Sequence, residues 1–460
     1  MSSRLLFCSI VSALAGFLFG FDTVVISGAE QTIQDLWQLS DAQHGLVVSA
    51  ALWATVVGSM VGGLPTDAFG RKPTLVAIGV AYTISAIWSA MAGDYWSLIV
   101  ARSIGGLGVG IATVAAPMYI SEIAPAAFRG RLAGLFQFNI VFGILAAFLS
   151  NYLITLAFDT GADDFDLRQT DAWRWMLGVE AVPAAIYAVM ALFLPESPRY
   201  LLAKRGDLTG AIAGFRSLDA TLSQEDAEAR VAAIAGELTS TSEVSAGEVS
   251  AGKTAARPRS LGKPVLLAFL IAMFNQLSGI NVVLYYAKRI FELAGLGESA
   301  AGLSSIGLGI TNLAATMLGL ALIDRAGRRT LLLIGSLGYI VSLGACAASF
   351  QFGAVGLVPW CLFLFIASHA VGQGAVIWVF ISEIFPTRAR AFGQSLGSAT
   401  HWVFAAGLTL VTPLFLNEDE PAAAPFAFFA VMMVVQLVWV LTQVPETKGV
   451  PLEEIERRLG

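Results

Sequence analysis

The chain has 460 residues, of which 56% are hydrophobic and only 13% are charged, and its net charge is −6. Soluble domains contain about 25% charged residues, so this composition excludes an ordinary soluble globular protein. The acidic balance also excludes a nucleic-acid-binding protein of the usual basic kind. Neither a disulfide framework nor a metal site is indicated, because the three cysteines all fall inside apolar runs (Cys8, Cys346 and Cys361). The mean hydropathy of +0.73 indicates a membrane protein.

Twelve apolar runs are long enough to cross a bilayer as α-helices, which takes about 20 residues each. In chain order they lie near 5–26, 44–66, 74–93, 97–119, 132–155, 173–194, 264–291, 299–323, 330–350, 357–384, 391–416 and 422–444. No small-residue cleavage site follows the first run, so we predict a span there and not a signal peptide. Residues 199–260 form a polar break, which we expect to contain short helices followed by a flexible Ser/Gly/Ala-rich stretch.

The distribution of Lys and Arg predicts that both termini face the cytoplasm. With the N-terminus inside, only five of the 27 basic residues lie away from inner segments, namely Arg102, Arg168, Arg174, Lys288 and Arg289. Arg102 lies within a span, and the other four lie in outer segments. The outer loops also hold acidic runs at 163–166 and 418–420. This bias follows the positive-inside rule for membrane proteins.

Three motifs occur twice, once in each half of the chain. The segment 67–72 (DAFGRK) matches 324–329 (DRAGRR), 121–125 (SEIAP) matches 382–386 (SEIFP), and 195–197 (PES) matches 445–447 (PET). The chain is therefore predicted to be a duplicated six-helix unit, an architecture typical of transporters that hold their substrate between two halves. We expect an all-α membrane protein with an N-terminal half at 1–198, a linker at 199–260, a C-terminal half at 261–446 and a tail at 447–460.

Together these motifs resemble those of the sugar porters of the major facilitator superfamily, and the resemblance covers essentially the whole chain. Further matching segments are 195–199 (PESPR), 276–281 (QLSGIN) followed by Tyr285 and Tyr286, and 445–449 (PETKG). The resemblance implies a multi-pass transporter of the plasma (cell inner) membrane that moves a sugar together with protons. It also implies a functional monomer without cofactor or metal, whose partners are the sugar, protons and the lipid bilayer.

Asp22 and Arg102 are charged residues inside predicted spans. Counting about 1.5 Å per residue places Asp22 roughly 6 Å and Arg102 roughly 7.5 Å inside the outer boundary, so the two can pair. A carboxylate in hydrocarbon costs at least about 2.5 kcal/mol unless it has a partner or a proton. An aspartate that alternates between protonation and pairing would couple protons to conformational change, whereas a permanent pair would only join two helices. The resemblance favours coupling, because passive facilitators usually have asparagine at the Asp22 position.

A sugar site needs amides for the hydroxyls and aromatic rings for the apolar faces, and amides are rare inside spans. Gln276, Asn281 and Tyr285 fall broadly on one side of a helix that Gly279 is predicted to break. By resemblance the cavity is lined by Phe19, Gln137, Asn275, Gln276, Asn281, Tyr285, Asn312, Trp378, His401 and Trp402. For any single amide, the alternative is an interhelical hydrogen bond worth under about 1 kcal/mol.

Three positions depart from the family pattern. His401 stands where many members have asparagine or glutamine, and His401 followed by Trp402 is similar to a branch of facilitators that carries fructose. The alternative is that His401 only packs beside Trp402. Gly374-Ala375 replaces a Gly-Pro pair, so we expect that helix to bend less. Asn275 replaces the first of two glutamines, which shortens one polar side chain and could change the selectivity for hydroxyls.

Charged residues at the inner ends of spans recur in both halves with partners of opposite sign. The set comprises Asp67, Arg71, Glu122, Arg129, Glu196, Arg328, Glu383 and Arg390. We expect an ion-pair gate that stabilises the outward-open state and breaks as the inside opens, and the resemblance implies the same. The segment 199–260 is then expected to be a small helical latch beneath the two halves.

The leading interpretation is a proton-coupled symporter of a hexose, of the fructose or glucose type, that works by alternating access. A passive sugar facilitator, in which the Asp22–Arg102 pair is only structural, is one alternative, and a sugar-sensing membrane receptor is another. An enzyme is not expected. His44, His369 and His401 lie on separate spans, and no nucleophile–base or metal-ligand spacing is found in the sequence.

Overall fold

The computed structural model describes residues 2–125, 128–159, 171–236, 261–386, 389–416 and 422–459. The acidic runs at 163–166 and 418–420, Arg168 and the second part of the predicted linker, 237–260, lie outside the described residues. Arg129 lies at the start of a described helix, but its side chain is also outside the description.

Long apolar helices dominate the described part of the N-terminal half. Its helices are α1 (Ser3–Val25), α2 (Glu30–Leu36), α3 (Asp41–Val61), α4 (Gly63–Ala68), α5 (Arg71–Met91), α6 (Tyr95–Ile123), α7 (Arg129–Phe158), α8 (Ala172–Gly178) and α9 (Ala181–Ala191). Polar caps fix where two of them begin. Ser40 and Gln43 form a capping box ahead of α3, and Asp94 accepts from the backbone of Ser97 at the start of α6.

The polar break contains three short helices in the residues that the structure describes. They are α10 (Pro198–Arg205), α11 (Leu208–Leu218) and α12 (224–236). Ser197 caps α10, and Pro198 occupies the first turn, where a missing N–H costs nothing. These helices agree with the short helices that the sequence predicts for the first part of 199–260.

The C-terminal half repeats the long helices of the first half, with two interruptions. Its helices are α13 (Gly262–Leu277), α14 (Ile280–Tyr285), α15 (Ala287–Leu293), α16 (Glu298–Ala326), α17 (Arg328–Gln351), α18 (Val358–His369), α19 (Ala375–Ile384), α20 (Arg390–Val411), α21 (Ala423–Gln443) and α22 (Leu452–Leu459). Gly279, with φ +85°, separates α13 from α14, as the sequence predicts. A π-helical stretch, Ala370–Gly374, joins α18 to α19.

Eleven of the described helical segments are long and apolar enough to cross a membrane. The twelfth predicted span corresponds to α20, which has 22 residues but is more polar. Its polar residues include Arg390, Gln394, Thr400 and His401. Helix α20 packs against α3 of the other half and against α13 and α14. The fold is thus all-α, with twelve membrane helices in two six-helix halves and a small helical segment between them.

The two halves pack against each other along two helix pairs. Helix α3 packs against α20, and α7 packs against α16. On the face away from the termini, called the outer face below, Arg289 Nη1 donates to Gln34 Oε1 at 3.0 Å and joins α15 to α2. The two halves therefore contact each other at the outer face of the described structure.

Candidate functional site

Asp22 on α1 and Arg102 on α6 form a buried ion pair between the two helices. Both residues are only 2% exposed. Arg102 Nη1 forms an ion pair with the Asp22 carboxylate, and Nη2 donates to the Asp22 backbone oxygen at 3.0 Å. This is the pairing that the similar depths of the two residues predict. Two contacts from one guanidinium fix the position of Asp22 within the membrane.

Glu180 is a second buried carboxylate beside this pair, and the sequence analysis missed it. It lies at the break between α8 and α9, is 2% exposed, and interacts electrostatically with Asp22 and Arg102. Its Oε1 atom has no hydrogen-bond partner in the described part of the chain. Glu180 could have been found from the sequence, because it is the only acidic residue of the span near 173–194. Ionisable residues inside spans are usually functional. The cluster therefore holds two carboxylates and one guanidinium.

Gln276 is the centre of a group of polar side chains in the C-terminal half. Its Nε2 donates to Asn275 Oδ1 at 2.9 Å, and its Oε1 accepts from Asn281 Nδ2 at 2.8 Å. The same Nε2 lies 3.2 Å from a ring nitrogen of His401 on α20. The break at Gly279 makes this possible, because it lets amides from both α13 and α14 turn toward α20.

Aromatic rings surround these amides. The His401 ring centroid lies 5.3 Å from that of Trp378 on α19 and 4.8 Å from that of Trp402. Across the two halves, Phe19 on α1 lies 5.6 Å from Trp402. Tyr285, at the end of α14, is buried within electrostatic reach of Asp22 and Arg102. The polar group of the C-terminal half and the charged cluster of the N-terminal half thus meet at the boundary between the halves.

Two predicted site residues are less closely connected to this group. Gln137 is half-buried on α7. Asn312 is buried on α16, and its Oδ1 accepts from Thr316 one turn along the same helix at 3.4 Å. The neighbouring amide of α7, Asn139, donates to the Leu135 backbone oxygen at 2.8 Å and so is bonded within its own helix.

The helix before Trp378 is irregular although it lacks the family's proline. Gly374-Ala375 marks the end of the π-helical stretch Ala370–Gly374. A π-helical turn inserts an extra residue and alters the direction in which the following side chains point. The helix is therefore irregular at this position without proline, so the absence of proline alone does not make this helix regular.

At the inner end of the N-terminal half, Arg71 donates hydrogen bonds to three carboxylates. Its guanidinium donates to Glu122 Oε1 at 2.8 Å and to Asp67 Oδ1 at 3.2 Å, and its backbone N–H donates to Glu196 at 3.0 Å. A hydrogen bond from Lys204 of α10 lowers the pKa of Asp67. Burial raises the pKa of Glu196, although backbone N–H groups oppose this effect.

The C-terminal half repeats this arrangement around Arg328. Its guanidinium donates to Glu383 Oε1 at 2.8 Å and to Asp324 Oδ1 at 3.1 Å, and its backbone N–H donates to Glu446 Oε1 at 2.9 Å. Thr447 Oγ1 donates to the other Glu383 oxygen at 2.6 Å. The duplicated motifs of the sequence therefore build duplicated charge clusters, each formed within one half.

Of the remaining gate residues, Arg390 has a buried Nε without a hydrogen-bond partner in the described residues. The first part of the segment 199–260 contacts the cluster of the N-terminal half through α10. In addition to the Lys204–Asp67 ion pair at 2.8 Å, the Arg71 guanidinium lies 4.7 Å from the centre of the Tyr200 ring. Helix α10 thus docks on the cluster of the N-terminal half.

Comparison with known proteins shows which family the chain belongs to. The family model described as "Sugar (and other) transporter" matches residues 8–459. The chain belongs to this family of sugar porters. It is 35% identical to the D-xylose transporter of Levilactobacillus brevis over 97% of this chain and 94% of the relative, and 34% identical to the arabinose-proton symporter of Bacillus subtilis over 98% and 94%.

Among solved structures, this sugar porter is similar to the xylose transporter XylE from E. coli in a partially occluded inward-open conformation. The TM-score is 0.83 at 29% identity, and the match covers 98% of this chain and 100% of XylE. In this sugar porter, the hydrogen bond between Arg289 and Gln34 joins the two halves at the outer face.

Proposed function

We propose that this sugar porter is a proton-coupled symporter of a hexose that works by alternating access. The observation that carries the proposal is the buried cluster of Asp22, Arg102 and Glu180, with Tyr285 of the other half beside it. Two carboxylates next to one guanidinium have an excess negative charge. An unbalanced charge inside a membrane protein is costly, so the cluster is a natural place for one transported proton.

The reason for coupling is geometric. Arg102 neutralises Asp22 while the two residues are paired. If a proton neutralises Asp22, Arg102 is left to balance Glu180 and no longer has to pair with Asp22, so α1 and α6 can shift relative to each other. Because Tyr285 belongs to α14, movement of α14 around a bound sugar changes the surroundings of the same cluster. Sugar and proton would then favour the same conformational change, which is the requirement for symport.

The expected substrate follows from the Gln276 group and its aromatic neighbours. Amide oxygens and nitrogens bind sugar hydroxyls, while Trp378, Trp402 and Phe19 offer apolar faces to the ring. The names of similar proteins support a monosaccharide, since they refer to xylose and arabinose. Those two sugars are pentoses, but other similar proteins are named for the hexoses glucose and galactose. The sequence pattern around His401 adds fructose to the candidate hexoses.

We also propose how the rest of the chain serves transport. Residues 1–198 and 261–446 move as the two halves, and both termini face the cytoplasm in a monomer in the plasma membrane. The clusters around Arg71 and Arg328, with Arg129 and Arg390, form the inner gate. In the outward-open state these charges pair across the halves, and α10 to α12 hold the inner ends together.

Uptake by purified protein in proteoliposomes tests the proposal. A panel of labelled hexoses, pentoses, amino acids and organic acids would be offered with and without an imposed proton gradient. We expect a hexose to accumulate above its external concentration only when the outside is more acidic. Competition by an amino acid or organic acid stronger than that of every sugar would contradict the substrate class, and stronger competition by a pentose would contradict the choice of a hexose.

The passive facilitator remains the second candidate because of one observation. The direct Asp22–Arg102 contact is also what a permanent structural pair would look like. A facilitator would equilibrate the sugar without concentrating it, whatever the proton gradient. Accumulation against a gradient therefore separates the two functions.

A further inference from the structure

The two basic residues at the outer end of the C-terminal half, Lys288 and Arg289, are not explained by the sugar or proton site. Arg289 Nη1 lies 3.5 Å from Glu30 Oε2 of α2, in addition to its hydrogen bond with Gln34. The same Glu30 oxygen lies 2.7 Å from Nε2 of His44 on α3. Glu30 is 1% exposed and His44 is completely buried. One carboxylate is therefore shared between a histidine of its own half and an arginine of the other half.

Tyr286 packs against the His44 ring. Its ring stands edge-on to the His44 ring, with centroids 6.1 Å apart and an interplanar angle of 85°. The Tyr286 hydroxyl donates to the Thr409 backbone oxygen of α20 at 3.0 Å, which fixes the tyrosine within the C-terminal half. His44 Nδ1 has no hydrogen-bond partner in the part of the chain that the structure describes. We call Glu30, His44, Tyr286 and Arg289 the outer clamp.

The charges around Glu30 determine how the outer clamp responds to protons. The groups that face Glu30 are His44, Arg289, Lys288 and Tyr286. Burial alone raises the pKa of Glu30, but the charges of Arg289, Lys288 and protonated His44 outweigh burial and lower it. Lys288 is itself engaged within its own half, 2.7 Å from Glu298 and 3.6 Å from Glu292. With neutral His44, the charges of Glu30 and Arg289 cancel.

We propose that the outer clamp is a proton-released lock: Arg289 holds the outer face closed on Glu30 while His44 is neutral, and protonation of His44 releases Arg289. The proposal rests on the alternating access of the proposed function. Opening the outer face moves Arg289 away from Glu30, because the two lie in different halves, while His44 stays with Glu30. A buried carboxylate that loses the cation paired with it is strongly destabilised. Protonated His44 supplies the replacement charge, and in the closed state it repels Arg289.

The sign of the pH dependence follows from this exchange of partners. The open state needs a cation on His44, whereas the closed state already has one in Arg289. A proton on His44 therefore stabilises the open state relative to the closed state, and acidification opens the outer face. An alternative is that the four residues are a fixed structural cluster, in which case pH would not change the populations.

The test measures the distance between the halves at the outer face without sugar or a proton gradient. Spin labels on cysteines at Leu36 of the N-terminal half and Leu357 of the C-terminal half, both exposed, would report opening in full-length protein in nanodiscs. We expect the open fraction to rise at least about threefold between pH 8 and pH 5. His44→Gln should abolish this rise. Arg289→Gln should open the outer face at both pH values, and Arg289→Lys should restore the closed state at pH 8.

Lys288→Gln is the matched control, since it removes the same charge from the adjacent position. It should keep the pH response, because Lys288 is paired within its own half. The proposal is overturned if wild-type distances do not change with pH, if His44→Gln keeps the response, or if Lys288→Gln behaves like Arg289→Gln. Sugar-driven proton uptake by the same variants separates this proposal from symport. Uptake without pH-dependent opening refutes only the clamp, and opening without uptake refutes only symport.

Discussion

Glu180 adds a negative charge to a pair that is already neutral, and this determines how many protons the central cluster can hold. Asp22 and Arg102 balance each other, so the charge of Glu180 is uncompensated in the described structure unless one carboxylate is protonated. A single bound proton gives the cluster no net charge. We therefore expect one proton for each sugar.

The first prediction follows from this balance. Glu180→Gln removes the excess charge while keeping the size of the side chain, so the cluster no longer needs a proton. We expect sugar exchange to continue and the accumulation ratio driven by a pH gradient to fall by about tenfold, or 1.4 kcal/mol. Glu298→Gln at the outer face serves as the control and should accumulate sugar like the wild type. Unchanged accumulation by Glu180→Gln would show that Glu180 has no part in coupling.

A second prediction compares two amides of α7. Gln137 is a predicted sugar ligand, whereas Asn139 is bonded to the backbone of its own helix. Gln137→Ala should raise the KM for sugar about twofold to tenfold, since a lost hydrogen bond is worth about 0.5–1.5 kcal/mol. Asn139→Ala should leave the KM nearly unchanged. Equal effects of the two substitutions on the KM would remove the reason for placing Gln137 in the site.

At the scale of single helices, the break between α13 and α14 could be predicted, but the π-helical stretch could not. Gly279 inside an apolar run is a recognisable break, and the structure has it at φ +85°. In contrast, Ala370–Gly374 has no proline, and its packing against α16 and α17 cannot be read from the sequence. Similarly, the polar face of α20 predicts a buried position but not which helices cover it.

The third prediction compares two glycines that have similar backbone conformations. Gly279 and Gly295 both have positive φ, at +85° and +80°, which costs other residues about 1–2 kcal/mol. A Cβ at Gly279 would also lie 2.5 Å from Phe429, whereas nothing lies within 4 Å of one at Gly295. Gly279→Ala should therefore abolish most transport and lower the thermal stability more than Gly295→Ala does. Equal melting temperatures and transport rates in the two variants would contradict the proposed role of the break.

The fourth prediction concerns the inner gate. Arg390 has a buried Nε without a hydrogen-bond partner in the described structure, and we propose that it finds one when the inside closes. Arg390→Ala should then increase the inward-open population, as should Glu383→Gln. A cysteine at Ser398, one turn from Trp402 on the same side of α20, should react faster with a polar thiol reagent. Arg216→Ala, an exposed position on α11, is the control.

Identical labelling rates in the wild type, Arg390→Ala and Glu383→Gln would show that these charges only orient the chain in the membrane. Faster labelling in the Arg216→Ala control would instead indicate a general loosening of the inner face. The prediction requires an effect confined to the gate residues.

At the scale of the whole molecule, repetition in the sequence predicted the two halves and their inner charges. The motif pairs at 67–72 and 324–329 place Arg71 and Arg328 in equivalent clusters. The depth of Asp22 and Arg102 likewise predicted that they could pair. The outer contact of Glu30, His44 and Arg289 could not be predicted in this way, because it joins three different helices from two halves.

The central claim is that sugar and protons move together, and sugar-driven proton movement tests it most directly. Proteoliposomes with an internal pH dye would receive an inward sugar gradient without any imposed pH difference. The account predicts that wild-type vesicles become acidic inside. Vesicles with Asp22→Asn, shown to be folded by sugar binding, should exchange sugar without any change in pH. No acidification in wild-type vesicles that do take up sugar, or equal acidification with Asp22→Asn, would contradict proton coupling at this cluster.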